Sequence, residues 1–462
     1  MLLSVRCTIA ILGAAVACAP TLCTGIAPAQ DAWLSDHAAR ITSINPDEPD
    51  SADLDAVVAA IGSRRIVVLA ERTPGDGAVL WAKSRLARKL INEAGFSVIA
   101  FEAGLYDCRA MNTQFAAGTD YSAAAPIGLD PQWSSSGFML TLFRDVWTSY
   151  FKPTPIQVCG FDQRFSGRRT SRQLPRELLD YLGSIDPHPL DKAQRRHHLT
   201  VLERLIQAVE QADDNAIVQS WEDLHHLLSL LKKHESALVH ARGRNDFEFW
   251  KRILEDAIAN AERTMPFDVD YPGLSDDNAR QERMSEHLAF LANQIYPDQR
   301  IIVWCSALTA MADAATVRVE PNQQLIDGYT PAGTRWRTTF GDELYVIAFD
   351  VGQGNCELIR EGPLPAPAVE PGSLEEHLQT IDWPFLFIPF ADDSPEWLRQ
   401  SIPGNLLGLN PVLARRQLLE DLQFVSAVWP AQFDAVFFIR RSFPNHWEAR
   451  PPDDAVHTVI LE

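Results

Sequence analysis

Residues 65–104 read RIVVLAERTPGDGAVLWAKSRLARKLINEAGFSVIAFEAG, and this stretch predicts how the rest of the chain is organised. The run Ile66–Leu69 is apolar and rich in β-branched residues, which is typical of a buried strand, and it leads to Glu71. The segment Thr73–Gly77 contains a proline, an aspartate and two glycines, and it therefore predicts a turn. Over 78–94 the apolar residues recur with helical spacing, so an amphipathic helix follows the turn.

A second strand follows this helix directly. Gly95 ends the helix, and the apolar run Ser97–Phe101 leads to Glu102. A strand, a crossover helix and another strand within so short a stretch predict two parallel strands with a right-handed connection. Open α/β sheets bind ligands at the carboxyl ends of their strands, so we expect Glu71 and Glu102 to lie at a functional edge.

Lys83 lies on the predicted helix and shares its apolar face near the helix start. Its ammonium group either reaches over the two carboxylates or stays in solvent while its aliphatic stem covers apolar surface. Because lysine is rarely buried, the residue type by itself favours the second interpretation. Under the first interpretation, Lys83 joins Glu71 and Glu102 as a candidate catalytic residue.

Further apolar runs predict that the sheet continues along the chain. One of them ends at Asp162, which places a third acidic residue at a strand end, and another precedes Ser306. The predicted strands are Ile156–Phe161, Ile301–Trp304, Leu344–Phe349, Phe385–Phe390 and Ala435–Ile439. We therefore predict an α/β fold with a mostly parallel sheet flanked by helices. Residues 31–60 are predicted to form a short helical lead-in, and residues 361–372 a proline-rich connector.

Residues 190–262 differ from the alternating strands and helices around them. Three apolar stripes with helical spacing predict an antiparallel helical insertion or subdomain that covers the sheet edge. The segment contains histidine pairs at 197–198 and 225–226, and Glu222 stands three residues before the second pair. Di-metal bundles need two such Glu-x-x-His motifs on facing helices, and the sequence holds no second copy in a matching position. We therefore interpret these residues as a solvated helix face and predict no metal site there.

Residues 1–29 have the pattern of a secretory signal peptide. They carry a single charge, an apolar segment over Ile9–Ala17, and a small-x-small cleavage site at Ala27–Ala29. The apolar segment is too short to span a bilayer, and lipid attachment at Cys18 is an alternative that its neighbours fit poorly. We therefore expect export to the periplasm or outside the cell, with residues 30–462 as the mature protein and no membrane insertion after cleavage.

The composition limits the kinds of partner. The 462 residues carry a formal net charge of −20, which argues against nucleic acid and anionic membrane as partners. The four cysteines after the signal are too few for a disulfide scaffold, although one pairing among them is an alternative, and they lack metal-ligand spacing. They are Cys108, Cys159, Cys305 and Cys356. We expect a small-molecule ligand or ester as the partner and no cofactor, with a divalent metal ion as the alternative.

Several motifs near the strand ends resemble those of the erythromycin esterase family, including its succinoglycan-biosynthesis-like members. In that family Gly-Glu-x-x-His-Gly-Asp-Gly follows the first strand, and a basic residue stands nine positions after the histidine. The matching positions here are Glu71, Gly75–Gly77, Lys83, Phe101–Gly104, Tyr106–Cys108, Val158–Gln163, Arg280, Met284 and Trp304. The resemblance runs from about residue 63 to residue 441. It implies one α/β domain over 30–462, including the helical insertion, and a hydrolase of esters or lactones.

The chain departs from the family at the histidines on which that chemistry depends. Pro74 stands where the resemblance places the activating histidine, and Ser306 and Thr309 replace two further histidines. Proline has no titratable group and no backbone N–H, and the loss of a general base costs roughly 100- to 10,000-fold in rate. His287 is the remaining candidate base near this edge, although an inward histidine is more often a hydrogen-bonded core residue.

Three functions remain open at this point. We favour a non-catalytic relative whose strand-end cleft binds a small molecule, or has become structural; its candidate ligand-binding residues are Asp76, Asp162, Arg280 and Ser306. The second function is a hydrolase in which Glu71 and Glu102 ionise at different pH, or join Asp162 around a divalent metal. The third is an exported protein that binds a partner through the helical insertion.

Two further interpretations concern single residues. Glu71 and Glu102 are explained without function if they only neutralise Lys83, Arg72 or Arg280. A nucleophilic Ser306 or Cys305 is also conceivable. Neither residue lies in a Gly-x-Ser-x-Gly motif, and no histidine is placed by sequence to activate it.

Overall fold

The computed structural model describes residues 28–165, 167, 170–211, 214–264, 274–358, 362–366, 368–391, 393–408 and 424–446. Residues 1–27 of the predicted signal peptide lie outside these ranges, so the export signal stays a prediction. Within the described residues, no helix combines the length and apolar character that crossing a bilayer requires.

The described chain contains thirteen strands, and every strand predicted from the apolar runs is present. They are β1 Ala39–Ile41, β2 Ile66–Glu71, β3 Phe96–Gly104, β4 Gln157–Asp162, β5 Arg300–Ser306, β6 Arg318–Glu320, β7 Leu344–Val351, β8 Asn355–Leu358, β9 Gly362–Pro365, β10 Phe385–Pro389, β11 Ile402–Pro403, β12 Phe424–Ala427 and β13 Ala435–Ile439.

Eight of these strands form the central sheet, in the order β1-β10-β13-β7-β2-β5-β3-β4. The six strands from β13 to β4 are mutually parallel, and β10 and β1 complete the sheet in antiparallel orientation. The predicted α/β fold with a mostly parallel sheet is confirmed. The sequence did not show that β5 lies between β2 and β3. Smaller sheets consist of β11-β12-β6 and of β8-β9.

The helices α1 to α17 surround the sheet. They are α1 Pro28–His37, α2 Asp55–Ile61, α3 Gly77–Glu93, α4 Leu105–Ala116, α5 Tyr121–Gly128, α6 Pro131–Ser134, α7 Leu140–Ser149, α8 Thr170–Leu182, α9 Lys192–Gln211, α10 Asp214–Lys233, α11 Glu235–Arg242, α12 Arg244–Thr264, α13 Asn278–Phe290, α14 Ala307–Ala310, α15 Ala332–Phe340, α16 Leu374–Gln379 and α17 Trp429–Gln432. Short 3₁₀ turns occupy Ala52–Leu54, Gly137–Met139, Leu274–Asp277, Ala314–Thr316, Gln323–Leu325, Gly341–Glu343 and Glu396–Arg399, and a π-turn occupies Leu291–Ile295.

Strand β2 shows why a continuous apolar run was the correct signal for this sheet. All six of its residues are buried, because helices cover both faces of the parallel region. Ile66, Val68 and Ala70 pack into one core cluster, whereas Val67 and Leu69 pack into the other. The alternation of side chains therefore divides one strand between two cores, one on each face of the sheet.

The predicted helical insertion forms α9 to α12, and its apolar residues belong to the core cluster on one face of the sheet. Leu224 and Trp250 share that cluster with Phe161 of β4. Helix α3 lies on the opposite face, where Val79 and Leu86 join the other cluster. Gly95 follows the C-cap of α3 and adopts the left-handed conformation, with φ of +72°, that commonly ends a helix.

The helical lead-in predicted over 31–60 is correct only in part. Helices α1 and α2 lie there, but β1 separates them and pairs with β10 at the edge of the sheet. This strand has three residues, so its sequence is too short to show an alternating pattern. The proline-rich connector contributes β9, which pairs only with β8 outside the central sheet.

Candidate functional site

The register of the parallel strands brings the predicted site residues to one edge of the sheet. Glu71, the last residue of β2, pairs with Ser306 at the end of β5. On the other side of β5, strand β3 carries Glu102, and its Gly104 pairs with Asp162 at the end of β4. Three acidic residues and a serine therefore end neighbouring strands on the same side of the molecule, as the sequence predicted.

Glu102 is the centre of a hydrogen-bond network at this edge. Its Oε1 accepts from Arg280 Nη2 at 3.0 Å and from Thr309 Oγ1 at 3.1 Å, and its Oε2 accepts from the Ser306 backbone N–H at 2.9 Å. The Ser306 hydroxyl donates in turn to Thr309 Oγ1 at 3.0 Å. The Ser306 Oγ also caps α14, because it accepts from the Thr309 backbone N–H. The two residues at family histidine positions are therefore bound to each other and to Glu102.

Arg280, at the start of α13, bridges the carboxylates of β3 and β4. Besides its bond to Glu102, it binds both oxygens of Asp162, with Nε at 2.9 Å and Nη2 at 2.7 Å. Its Nη1 donates to Asp277 at 2.9 Å. Burial alone would raise the pKa of Asp162, but the charges of Arg280 and Arg164 outweigh it and hold that pKa well below its usual range. Burial alone would lower the pKa of Arg280, but Asp162 and Asp277 hold that pKa well above its usual value.

Glu71 and Lys83 form a buried ion pair next to this network. Lys83 is 0% exposed and Glu71 is 1% exposed, and the Lys83 Nζ contacts Glu71 Oε2. The same Nζ lies 4.1 Å from the centre of the Trp304 ring, which adds a cation–π contact. Burial lowers the pKa of Lys83 well below its usual value, although Cys305 and Glu102 oppose the shift.

The solvent-exposed interpretation of Lys83 was therefore wrong. The chain buries the whole side chain because Glu71 and the Trp304 ring replace the water around its ammonium group. Of the cations proposed to neutralise the two glutamates, Lys83 pairs with Glu71 and Arg280 pairs with Glu102. Arg72 instead pairs with Asp76.

Asp76 lies in the turn between β2 and α3 and is completely buried. It accepts from Arg72 at 3.0 Å and from the Ser442 hydroxyl at 3.1 Å. Asp76 is therefore enclosed by Arg72 and by the segment that contains Ser442. A ligand could contact Asp76, as the sequence predicted, only if that segment moved away.

Residues 442–446 cover the turn that contains Pro74. Asn445 donates to the Pro74 carbonyl at 3.3 Å, and its backbone N–H donates to the Gly75 carbonyl at 3.0 Å. Gly75 is required sterically, since a Cβ there would lie 2.6 Å from the carbonyl oxygen of Glu357. Pro74, which the motif resemblance places at a histidine position of the family, is thus held inside a packed turn.

The candidate replacement base His287 and the candidate nucleophile Cys305 are both core residues. His287 is completely buried, with Nδ1 3.2 Å from the Phe161 carbonyl and Nε2 3.3 Å from Asp256 Oδ1. This confirms the interpretation of His287 as a hydrogen-bonded core residue. Cys305 is buried and free, and burial raises its thiol pKa well above the usual value, so it lacks the thiolate that nucleophilic attack requires. All four described cysteines are buried and no disulfide joins any two of them, so the alternative of a disulfide among them is wrong.

The structure adds charged residues that the sequence analysis did not select. Asp277 stands three residues before Arg280, so helical spacing was a signal for it, and Arg164 follows Asp162 by two residues. Asp350, near the end of β7, is completely buried beside Glu375. Burial and then the charge of Glu375 raise the pKa of Asp350 well above its usual value, although Arg72 opposes the shift. The rule of acidic residues at strand ends would have found Asp350.

A divalent metal among Glu71, Glu102 and Asp162 would have to displace cations already in place. Lys83 contacts the first, and Arg280 binds the other two. Among the described residues, the one group with metal-ligand spacing lies elsewhere, at His197, His198 and Asp223. The metal alternative at the strand ends therefore stays a prediction that this geometry does not favour.

A cavity of 390 Å³ lies between α4, α8, α11 and α12. Tyr106 and Arg109 of α4 and Trp250 of α12 contribute to its walls. Tyr106 follows β3 by two residues, but Glu71, Glu102 and Asp162 do not line this cavity. It is thus separate from the network around Glu102.

Fold and site together define a class of protein. It is an α/β, hydrolase-like protein in which acidic and basic side chains meet at the carboxyl edge of a parallel sheet. Residues 91–442 match the sequence profile of the erythromycin esterase family, and the chain belongs to this family. The match begins after Glu71, Pro74 and Lys83, so the correspondence at these three positions depends on motif resemblance alone.

Similar proteins agree with this assignment. "Putative hydrolase YbfO" of Bacillus subtilis (strain 168) is 23% identical over 378 residues, which are 78% of this chain and 81% of that protein. The crystal structure of a Bacillus cereus protein has a TM-score of 0.70 at 18% identity and covers 91% of this chain and 99% of its own.

Two further solved structures share the fold. A succinoglycan biosynthesis protein has a TM-score of 0.66 at 16% identity, with 90% of this chain and 98% of that chain covered. A mutant erythromycin esterase in its open conformation has a TM-score of 0.66 at 14% identity, with 89% of this chain and 98% of that chain covered.

Proposed function

We propose that this chain is a non-hydrolytic member of the erythromycin esterase family that binds a small polar molecule at the carboxyl edge of its sheet. The hydroxyl relay from Ser306 through Thr309 to Glu102 carries the proposal. Ester hydrolysis at neutral pH needs a group that takes a proton from the attacking water, and imidazole suits this role because its pKa lies near neutrality. Serine and threonine hydroxyls stay protonated there, so they cannot replace the two histidines as bases.

The hydrogen bonds of Glu102 also support a binding role. Three donors from Arg280, Thr309 and Ser306 occupy its two oxygens. A carboxylate offers about four acceptor positions, so these three bonds hold Glu102 in place and leave a position that a hydroxyl or amino group of a ligand could use.

The burial of Glu71 and Lys83 points in the same direction. With 1% and 0% exposure, neither side chain can reach a substrate without rearrangement of the surrounding core. A structural role in joining β2 to α3 explains their contact without invoking catalysis.

The partly exposed groups at this edge define the chemistry of the ligand. Glu102 is 11% exposed and Asp277 18%, while Arg164 presents a 38% exposed side chain. Ser306 is also only partly buried. A ligand with hydroxyl or amino groups would find carboxylate acceptors here, and its acidic or carbonyl groups would find Arg164.

A serine hydrolase is the second candidate, because the relay directs the Ser306 proton toward a carboxylate. In such an enzyme Ser306 Oγ would attack the ester carbonyl while its proton passes through Thr309 to Glu102. The carbon–oxygen bond to the alcohol would then break, the proton would return to the departing alkoxide, and water would hydrolyse the acyl-enzyme. Partner binding through the helical insertion receives no comparable support. Among the side chains that the structure describes, Phe151 is the exposed large hydrophobic residue, and it lies outside residues 190–262.

Export is part of the proposal and depends on the pattern of residues 1–29. Expression of the full chain in a bacterium, followed by fractionation and mass spectrometry of the amino terminus, tests it. We expect protein outside the cytoplasm that begins near residue 30. Intact protein in the cytoplasmic fraction would contradict export without affecting the assignment of the site.

The main test measures hydrolysis of simple esters and of erythromycin by the processed protein, with and without added divalent metals. Glu102→Gln, Ser306→Ala and Glu71→Gln are compared with the unmutated chain, and Arg335→Ala is a surface control. We expect no turnover above buffer in any of them. A thermal-shift screen of polar small molecules should find a ligand that raises the Tm of the unmutated chain and of Arg335→Ala but not of Glu102→Gln.

Turnover that disappears in both Ser306→Ala and Glu102→Gln would establish the serine hydrolase instead. Turnover that disappears only in Glu71→Gln would assign catalysis to the buried pair. Turnover that survives in every variant and through repurification would contradict the non-hydrolytic proposal and assign catalysis to other residues.

A further inference from the structure

The histidine pairs of the helical insertion have a partner that the sequence pattern did not indicate. Glu222 and His225 are exposed, as expected for a solvated helix face. Asp223, which directly follows Glu222, instead faces the two histidines of the preceding helix, α9. The Nε2 of His197 lies 3.2 Å from Asp223 Oδ1, and the Nδ1 of His198 lies 3.7 Å from the same oxygen.

Two observations distinguish this cluster from an ordinary surface contact. The side chain of His198 is only 5% exposed, yet among the described residues its Nδ1 has no hydrogen-bond partner. A buried polar nitrogen without a hydrogen bond is costly and therefore calls for an explanation. In addition, one ligand atom from each of His197, His198 and Asp223 lies within 4.8 Å of the others.

The shape of the cluster suits a divalent ion that enters from solvent. His198 is fixed from behind, where its ring stacks on His226 with centroids 5.6 Å apart. His197 is 60% exposed and Asp223 23% exposed, so one side of the cluster opens to water. Zinc binds imidazole nitrogen and carboxylate oxygen at about 2.0–2.2 Å, which places neighbouring tetrahedral ligands about 3.3 Å apart. The separations of 3.2 and 3.7 Å to Asp223 bracket that value, and the first of them is also a hydrogen bond. All three ligand atoms lie within 4.8 Å of one another, so an ion would draw them closer together.

We propose that His197, His198 and Asp223 form a zinc site that clamps α9 to α10 in the helical insertion. Two imidazoles and one carboxylate supply three ligands, and the open side leaves a fourth position for water. Because the ligands come from two different helices, the ion would stabilise their packing. The site is independent of the network around Glu102, so it holds whether or not the proposed function does.

The test uses the full chain, expressed without a histidine tag and purified in its processed form. Titration with Co²⁺ is followed by visible absorption, because a tetrahedral Co²⁺ site has characteristic bands, and Zn²⁺ is then added to compete. Zn²⁺ binding is also measured by calorimetry. We expect one Zn²⁺ per chain with a micromolar or lower Kd, displacement of bound Co²⁺, and a rise in Tm with added Zn²⁺.

Two variants remove ligands and one serves as a matched control. His198→Phe keeps an aromatic ring against His226 but has no ligand atom, and Asp223→Asn removes the charge while keeping the shape. Each should weaken Zn²⁺ binding beyond the roughly 10- to 100-fold that loss of an outer-shell partner costs. His225→Ala, on the same helix but outside the cluster, should bind as the unmutated chain does.

Circular dichroism without metal establishes that each variant is folded. Failure of the unmutated chain to bind Zn²⁺ below millimolar concentration would overturn the proposal. Binding of equal strength in folded His198→Phe or Asp223→Asn would overturn it as well, since the ion would then lie elsewhere.

Discussion

Arg280 donates a hydrogen bond of 3.0 Å to Glu102, although 178 positions of sequence separate the two residues. The same guanidinium binds both oxygens of Asp162, so one cation neutralises the carboxylates of two neighbouring strands. Arg280 thus holds the two carboxylates in fixed positions at this edge of the sheet.

Removal of Arg280 should be strongly destabilising. Arg280→Met leaves Glu102, Asp162 and Asp277 without their shared cation, and the loss of one partner from a buried ion pair costs about 3–5 kcal/mol. Arg335→Ala is the control, because its pair with Glu282 is about half exposed on both sides and is worth roughly 0–1 kcal/mol. Urea unfolding of both variants measures the difference. Equal losses would show that the Arg280 network is not what stabilises this edge.

Glu71 and Lys83 should behave as one unit. Glu71→Gln and Lys83→Met should each cost about 3–5 kcal/mol, because either change leaves its partner's charge buried alone. The double variant should be more stable than the sum of the two losses predicts, with a coupling energy of about 1–3 kcal/mol. A double-mutant cycle by chemical denaturation measures this term. Strict additivity would mean that the two side chains do not interact.

The depressed pKa of Asp162 predicts a loss of stability in acid. Since its pKa is lower in the folded chain than the unfolded value of about 3.9, its contribution is complete above about pH 4. The contribution is lost as the pH falls below that value toward the folded pKa. The free energy of unfolding of the unmutated chain should therefore approach that of Asp162→Asn between about pH 4 and pH 2. Asp382→Asn, a change at a fully exposed position, should show no such convergence.

Asp350 predicts the opposite dependence. Burial beside Glu375 raises its folded pKa, so its contribution is complete below about pH 4 and is lost as the pH rises through the folded value. Asp350→Asn cannot ionise and should therefore gain stability relative to the unmutated chain as the pH rises from 4 to 8. The gain has an upper slope of roughly 1.4 kcal/mol per pH unit. Thermal unfolding of both chains at several pH values measures this difference in stability. A difference that stays constant with pH would show that the Asp350 carboxyl does not ionise with a raised pKa in the folded chain.

Most of the sheet could be predicted from the sequence because the buried strands of this fold are continuous apolar runs. Helices cover both faces of the parallel strands, so β2, β5 and β7 needed no alternation to be found. Strand β1 escaped notice since three residues at an edge show no period. The acidic strand ends were found by a topological rule, because the carboxyl ends of parallel strands share one edge.

The state of Lys83 could not be predicted in the same way. Residue type favours exposure for a lysine, and only the packing of Glu71 and Trp304 around the ammonium group reverses that preference. Asp223 was missed for a related reason. The Glu-x-x-His motif of α10 is exposed, whereas the residues that Asp223 contacts lie on the preceding helix, α9.

By itself, the sequence determined the α/β class and the family, because apolar runs and motifs are local properties of the chain, and its motifs predict that residues 74, 306 and 309 stand where the family has histidines. The tertiary structure decided how the remaining charges are used. It placed Arg280 between Asp162 and Glu102, buried Lys83 on Glu71, and brought Asp223 to His197 and His198. Charges interact through space over a few ångströms, so the sequence alone does not show which charges from distant parts of the chain will meet.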